Sequence, residues 1–250
     1  MLGNDKKHFL GMKTLLLAVI PFLLTAFSPG VFAGEPSWAT PSDIQFQNIP
    51  VSDRIIPLGF SKKGVFSYIL QQNSCRGPSG NNQKLFWIAV DLINDKVVQH
   101  IDLGKESPNV SAEDVLQKHG KTIGDYNSQY GIVTTNSYVI AISTAIKSEN
   151  EVLTIQTELV ETIDGEDAIN PGYRKYKILL LSKTKGTKTL AEVISVYEPL
   201  RYWGYFKSPF EERIAALFIS DFRGCEAYPQ MRINIVGANL VRGFNAKIRE

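Results

Sequence analysis

The sequence predicts an all-β protein, either an antiparallel two-layer sandwich or an incomplete propeller-like assembly, with one short helix. From residue 43 onward, apolar residues alternate with polar ones over short segments rich in Val, Ile, Tyr and Phe. This alternation is typical of half-buried strands. Clusters of Gly, Asn, Asp, Ser and Pro separate the segments, as turn residues do. About 12 such segments occur, whereas a complete four-bladed propeller needs roughly 16 strands.

The first 33 residues have the parts of a secretory signal and are set apart from the fold. Three lysines give a positive start, an uncharged apolar run of about 13 residues follows, and small residues lead to Ala33. A helix that spans a bilayer needs roughly 20 apolar residues, so a permanent anchor is the less favoured alternative. We therefore expect cleavage near Ala33, a secreted or periplasmic mature chain, and no stable membrane insertion after cleavage.

The charge of the mature chain excludes one class of partner. The whole sequence has 27 Lys and Arg against 25 Asp and Glu, and the signal contains three of the former and one of the latter. Residues 34–250 therefore carry 24 charges of each sign and no net charge. Because the chain has no basic stripe that would neutralise phosphates, nucleic acid is not an expected partner. The length of residues 34–250 suits a single all-β domain with a sizeable core.

The strands follow from the alternation and from the turn residues that separate the segments. The clearest pair is a hairpin whose turn contains Asn94 and Asp95, since these residue types accept positive φ angles most easily. The predicted strands are residues 54–58, 65–71, 85–92, 96–103, 131–135, 138–143, 151–160, 173–181, 190–197, 202–206, 213–220 and 232–236.

One short helix is predicted between the fourth and fifth strands. Ser111 is a suitable N-cap, and Glu113 and Asp114 suit the positive end of the helix dipole. Val115 begins the apolar side, and Gly120 is a suitable C-terminal stop. We therefore expect a helix of about two turns that covers a sheet.

The two cysteines occupy matching places in a weak internal repeat. A serine-led turn, an apolar strand and a polar loop follow one another around Cys75 and again around Cys225. An exported chain meets an oxidising compartment, where an even number of cysteines favours pairing. We therefore predict a Cys75–Cys225 disulfide that closes a loop of about 150 residues. Two separate thiols are the alternative.

Near the C-terminus, a Ser-Pro-x-Glu-x-Arg segment runs into an apolar strand. Its residues are Ser208, Pro209, Glu211 and Arg213. Together with the signal peptide and an early "FSKKGVFSYI", this segment resembles a bacterial family of predicted secreted proteins of unknown function. The resemblance covers about 70 residues at the two ends of the mature chain. It implies a secreted protein and carries no catalytic residues.

The sequence has no motif for catalysis, a metal or a cofactor, and none of these is predicted. Position explains both histidines of the mature chain: His100 lies on a predicted strand and His119 at the predicted end of the helix. Glu211 and Glu212 are adjacent, so on a strand they would point to opposite sides and could not act as a pair. Residues 164–167 are acidic, and we expect a solvated hairpin tip there instead of a calcium loop.

The aromatic run "YEPLRYWGYF" is the candidate ligand or partner surface. Alternation places Trp203 and Tyr205 on one face of a strand, with Tyr202 and Phe206 on the other. Burial of both faces between sheets is the favoured interpretation of this run, and exposed rings would instead contact a protein, a peptide or a glycan. We therefore expect an exported, non-enzymatic binding or interaction protein. The alternative function is a cell-envelope hydrolase that uses carboxylates.

Overall fold

The computed structural model describes residues 53–73, 83–107, 109–134, 141–166, 171–223 and 229–245. Within these ranges the chain forms twelve strands and one helix. All strand pairs there are antiparallel. The predicted all-β class is therefore confirmed. The strands form three sheets, one more than the two layers that the sequence suggested.

The first sheet has the strand order β4-β3-β2-β1-β5. Its strands are β1 (Asp53–Ser61), β2 (Val65–Asn73), β3 (Gln83–Asp91), β4 (Lys96–Glu106) and β5 (Ile132–Thr134). The second sheet contains, in order, β6 (Ala145–Lys147), β7 (Val152–Asp164), β8 (Gly172–Ser182) and β9 (Gly186–Ser195). The third, which we call the central sheet, contains, in order, β10 (Arg201–Lys207), β11 (Arg213–Arg223) and β12 (Pro229–Asn239).

The central sheet lies between the other two sheets, and both of its faces are buried. Side chains of β11 alternate between the two hydrophobic cores. Those in the core with the first sheet are Ala215, Leu217 and Ile219. Those in the core with the second sheet are Ile214, Ala216 and Phe218. A strand buried on both faces has a continuous apolar run instead of an alternating one, which explains the unbroken "IAALFI".

Helix α1 (Ala112–Tyr130) covers the outer face of the first sheet. The predicted N-cap is confirmed, because the Ser111 hydroxyl accepts a hydrogen bond from the Asp114 backbone N–H. The predicted end at Gly120 is wrong: the helix continues to Tyr130 and ends at Gly131, which has a left-handed conformation with φ of 65°. Among the described residues, no helix combines the length and the apolar character that a membrane crossing requires.

The second half of the helix forms because its buried side remains apolar. Ile123 lies in the core with Trp87. The rings of Tyr126 and Tyr130 pack on the Trp87 ring, with centroids 5.2 and 5.7 Å apart. A glycine inside a helix costs about 1 kcal/mol relative to alanine, and this packing offsets the cost of Gly120.

A buried carboxylate joins the central sheet to the second sheet. Asp221 on β11 accepts hydrogen bonds from the backbone N–H groups of Val196 and Tyr197, at 3.0 and 2.8 Å. The backbone N–H of Glu198 donates to the same carboxylate at 2.9 Å. These bonds fix the chain as it passes from β9 toward β10.

The predicted hairpin at Asn94 and Asp95 is present, whereas the strand predicted at residues 138–143 is only partly described. The hairpin between β3 and β4 is confirmed, and Asp95 in its turn has a positive φ of 50°. The strand predicted at residues 138–143 falls partly on residues outside the described ranges. Its described part contains Ala141, which forms an isolated bridge to Tyr205, and the next strand of the chain is β6.

The predicted internal repeat corresponds to two three-stranded meanders, β1 to β3 in the first sheet and β10 to β12 in the central sheet. The serine-led turns of the two meanders lie at the same end of the two sheets. Gly64 lies in the first turn and Arg213 directly follows the second turn. The two residues are in close contact, since a Cβ atom added to Gly64 would lie only 2.4 Å from Nη1 of Arg213. At the other end, the Ile233 N–H donates to the Asp53 carboxylate at 3.2 Å. Strands β2 and β11 therefore run in the same direction in facing sheets.

Cys75 and Cys225 lie outside the described residues. Each is two positions beyond the end of its strand, β2 for Cys75 and β11 for Cys225. The disulfide between them stays a prediction.

Candidate functional site

A cleft of about 370 Å³ opens where three parts of the chain meet. These parts are the β10–β11 turn, the β6–β7 turn and the residues that follow β12. The lining residues are Glu149, Glu211, Glu212, Arg213, Asn239, Val241 and Arg242. Five of the seven are charged and one is apolar, so polar interactions decide what the cleft can bind.

Hydrogen bonds fix the β10–β11 turn, residues 208–212. The Ser208 N–H donates to the Arg213 carbonyl at 2.9 Å, and the Leu240 N–H donates to the Glu212 carbonyl at 2.9 Å. The chain here bends out of strand geometry, and as a result Glu211 and Glu212 both line the cleft. The prediction that they point to opposite sides is therefore wrong, because it assumed a strand.

Each of these two glutamates forms an ion pair with a cation of the same meander. Oε2 of Glu211 lies 2.9 Å from Nε of Arg213, and Oε1 of Glu212 lies 3.0 Å from Nζ of Lys207. Lys207 also donates to the carbonyl of Lys147 at 3.1 Å, which ties the central sheet to the second sheet beside the cleft.

Arg213 is the buried cation of the cleft. It is 9 % exposed, and its Nη1 atom lies against Gly64 of the first sheet. Gly64 has a left-handed φ of 80° and no side chain, so it leaves room for the guanidinium. A buried guanidinium needs hydrogen-bond acceptors for its N–H groups, and the supply of acceptors around Arg213 is incomplete.

Unsatisfied polar atoms are concentrated in this turn. In the described part of the chain, seven buried side-chain atoms have no hydrogen-bond partner, and four of them belong to the turn and to Arg213. The four are Oε1 of Glu211, Oε2 of Glu212, and Nε and Nη1 of Arg213. Nε lies near Glu211 but without the alignment of a hydrogen bond, so the contact is ionic. A buried atom left in this state costs about 1–3 kcal/mol, and native structures contain few of them.

Two further charges stand on the walls of the cleft. Glu149 and Arg242 are exposed, and neither forms an ion pair with another residue in the described part of the chain. The backbone around Arg242 is fixed, because the Asn239 side-chain oxygen accepts from the N–H groups of Val241 and Arg242, both at 2.9 Å. One cation and one anion in the cleft are therefore available to a ligand.

A further cation, Lys188, lies close behind the cleft. It donates to the carbonyls of Asn239 and Arg242 at 3.3 and 3.1 Å. Burial lowers the pKa of Lys188 and the charge of Arg213 lowers it further, whereas the charge of Asp95 acts in the opposite direction.

The structure corrects the predicted aromatic surface. Trp203 is 5 % exposed and lies with Phe206 in the core between the first and central sheets. Tyr202 and Tyr205 are half-buried and pack on the core with the second sheet. The pairing register of β10 shifts between Tyr202 and Gly204, and such a bulge moves the later side chains to the opposite face. Trp203 and Tyr205 therefore do not share a face, and Trp203 is a core residue.

The histidines and the acidic tip do not line the cleft. His100 is exposed on the edge strand β4, with its ring 4.5 Å from that of Phe86. His119 lies inside the helix, 3.3 Å from Glu106, so the prediction that it ends the helix is wrong. The described residues 164–166 are exposed. No group of three His, Cys, Asp or Glu that could hold a metal occurs in the described ranges.

The sequence signals only part of the site. Ser208 and Pro209 open the turn, and Pro209 signals it because proline lacks a backbone N–H. Asn239 ends the last strand and Arg242 follows it, and the sequence gives no signal for either, because only the fold brings them next to the turn. Comparison with known proteins finds no family model, no curated protein and no solved structure that matches the chain.

Proposed function

We propose that the chain is an exported, non-enzymatic binding protein and that the cleft around Arg213 is its ligand site. One observation carries the proposal: two charged residues of the cleft, Glu149 and Arg242, are exposed and form no ion pair in the described part of the chain. Exposed charges of both signs in one cleft can pair with complementary groups of a partner. A protein, a peptide or a glycan would have groups of this kind.

The carboxylates of the cleft favour binding over hydrolysis. A hydrolase of the cell envelope would need one carboxyl group that holds a proton near neutral pH and a second that does not. Glu211 and Glu212 are each held in an ion pair with a neighbouring cation, so their surroundings do not distinguish an acid from a base. Burial raises the pKa of Asp53 to about 7, but Asp53 lies in the protein interior and does not line the cleft.

Export and the disulfide belong to the same proposal. The signal at residues 1–33 would deliver the chain to an oxidising compartment. Strands β2 and β11, which precede Cys75 and Cys225, run in the same direction in facing sheets. Facing sheets pack about 10 Å apart, so two loops that leave them at the same end are suitably placed for a covalent link between the meanders.

The test is to isolate the protein from its own compartment and to record native mass spectra. We expect a bound species that denaturation releases. The variant Arg242→Ala should reduce its occupancy at least about tenfold, a change that corresponds to 1.4 kcal/mol. The matched control is Lys121→Ala, which removes an exposed cation on the helix and should leave the occupancy unchanged. A protein without any bound species, or equal occupancy in both variants, would contradict the proposal.

A further inference from the structure

Strand β7 is much longer than the strand that covers one of its two edges. On one side, β8 pairs with β7 from Thr154 to Asp164. On the other side, β6 pairs only with residues 152–154, and the Ile155 N–H donates to the Thr144 carbonyl at 2.9 Å. No further strand pairs with this side in the described part of the chain. Residues 156–164 therefore form an edge without a neighbouring strand, which we call the open edge.

The open edge presents backbone groups that can accept another strand. The Ile155 N–H points toward β6, and in an antiparallel strand the N–H groups of alternate residues point to the same side. The N–H groups of Thr157 and Leu159 therefore point toward the open edge. A row of such groups without partners is a template for strand addition.

The side chains of the open edge also favour contact with another chain. Three of the ten large hydrophobic residues that are exposed in the described ranges lie on it, namely Leu159, Val160 and Ile163. The edge contains no lysine and no proline, although these residues commonly block strand addition in native proteins. One register shift, between Leu159 and Glu161, interrupts it, and the strand pairs with β8 on both sides of the shift.

The register shift gives the two faces of the open edge different chemistry. Glu158 and Glu161 lie opposite Lys177 and Lys175, which are two residues apart on β8 and therefore share a face. Leu159 lies opposite Tyr176, whose side chain is buried in the core with the second sheet. The open edge is thus acidic on the outer face of the sheet and apolar on the core-facing side.

This distribution of charge decides between a second copy of the chain and a different partner. A closed dimer through the open edge would pair two β7 strands about a two-fold axis. Such an axis would bring Glu158 and Glu161 of both copies together on one face, where like charges are destabilising. A strand with basic residues on that face would instead meet opposite charges.

We propose that the open edge of β7 binds an extended segment of a partner protein, in which apolar and basic residues alternate, as an added strand. The backbone of this segment accepts hydrogen bonds from Thr157 and Leu159. Its apolar side chains cover Leu159 on the core-facing side, and its basic side chains pair with Glu158 and Glu161. The surface is separate from the cleft, because Glu149 of the cleft precedes β7 and the open edge is the far part of that strand.

The probe is a short synthetic peptide in which lysine and valine alternate, with a fluorescent label and blocked ends. Fluorescence anisotropy with the full-length protein should give a Kd below about 1 mM. The same peptide with methylated backbone nitrogens at the valines keeps its charge but cannot pair as a strand, so it should bind at least about tenfold more weakly. A peptide with glutamate in place of lysine should bind more weakly still, because it places like charges opposite each other.

Variants of the protein locate the peptide. The double change Glu158→Gln and Glu161→Gln alters exposed side chains and should weaken binding about threefold to tenfold. Thr157→Pro removes an N–H group of the open edge and leaves the pairing with β8 intact, so it should weaken binding at least about tenfold. Asp125→Asn, which removes an exposed carboxylate on the helix, and Arg242→Ala in the cleft should bind like the natural protein.

Amide hydrogen exchange supplies a readout that does not depend on charge. The Thr157 and Leu159 amides should exchange quickly in the protein alone and slowly when the peptide is present. Slow exchange in the protein alone would mean that the edge is already covered, by a second copy if dilution abolishes the protection and by the chain itself if it does not. Either result overturns the inference. Equal binding of the methylated peptide, or loss of binding in Arg242→Ala, would overturn it as well.

Discussion

Asp53 shows what burial does to a single carboxyl group in this protein. It is 1 % exposed, and one of its oxygens accepts from the Ile233 N–H while the other has no hydrogen-bond partner among the described residues. Burial raises its pKa to about 7, although the Ile233 N–H and the charge of Arg232 act in the opposite direction. Burial also raises the pKa of the neighbouring Tyr68 hydroxyl, and the charge of Asp53 adds to that effect.

The raised pKa of Asp53 predicts a loss of stability with increasing pH. Between its ordinary value of 3.8 and about 7, the folded protein keeps a proton that the unfolded chain has released. The contribution to stability is therefore complete below about pH 4 and is lost as the pH rises through 7. Between pH 5 and pH 8 the natural protein should lose about 3 kcal/mol more than Asp53→Asn.

Urea denaturation of both proteins at the two pH values measures this difference. Asparagine cannot titrate, so the variant removes the proton linkage and keeps the shape of the side chain. Equal changes in the free energy of unfolding for the two proteins would show that Asp53 is already ionised in the fold at pH 5.

At the scale of elements, β10 shows why its aromatic residues were assigned to the wrong faces. Counting alternate residues assumes an unbroken pleat, but the register shift between Tyr202 and Gly204 breaks it. Gly204 is the local signal of the shift, because an isolated glycine inside a strand pattern often marks a bulge. The predicted helix is too short, because Gly120 is a credible helix end in the sequence alone. In the fold, Trp87 of the first sheet packs against the helical turns that follow Gly120.

The assignment of Trp203 to the core predicts a large effect of its removal. Trp203→Ala should lower the free energy of unfolding by about 3–5 kcal/mol, because it leaves a cavity between two sheets. Tyr205→Ala is the matched comparison on the same strand and should cost less, since Tyr205 is only half-buried. Urea denaturation followed by circular dichroism gives both values. A smaller loss in Trp203→Ala than in Tyr205→Ala would remove Trp203 from the core.

At the scale of the whole molecule, local patterns predicted the strands and left their arrangement open. Alternation and turn residues depend on near neighbours, so most strand positions, the Asn94–Asp95 hairpin and the repeated meander were predictable. The order of the sheets depends on contacts between distant residues, and it was not predictable. The candidate site also depends on contacts between distant residues, because its walls come from three separate parts of the chain. It was therefore not predictable from local patterns.

The predicted disulfide is also tested at this scale. If Cys75 and Cys225 are bonded, the chain-entropy model gives a stabilisation of about 5 kcal/mol for a loop of about 150 residues. Cys75→Ser should then lower the melting temperature in oxidising buffer by about 10 °C or more. Cys225→Ser and the double variant should show the same decrease, and reduction of the natural protein should reproduce it. An unchanged melting temperature in Cys75→Ser would mean that the two thiols are separate.

The double burial of β11 has a consequence for how the molecule comes together. The central sheet, which consists of the last three strands, lies between two sheets that precede it in the chain. Neither of these two sheets has its complete hydrophobic core until the C-terminal meander is in place. Folding must therefore await nearly the whole polypeptide. If the chain is exported unfolded, as we propose, this delay would keep it competent for passage across the membrane, and the fold would assemble after release on the far side.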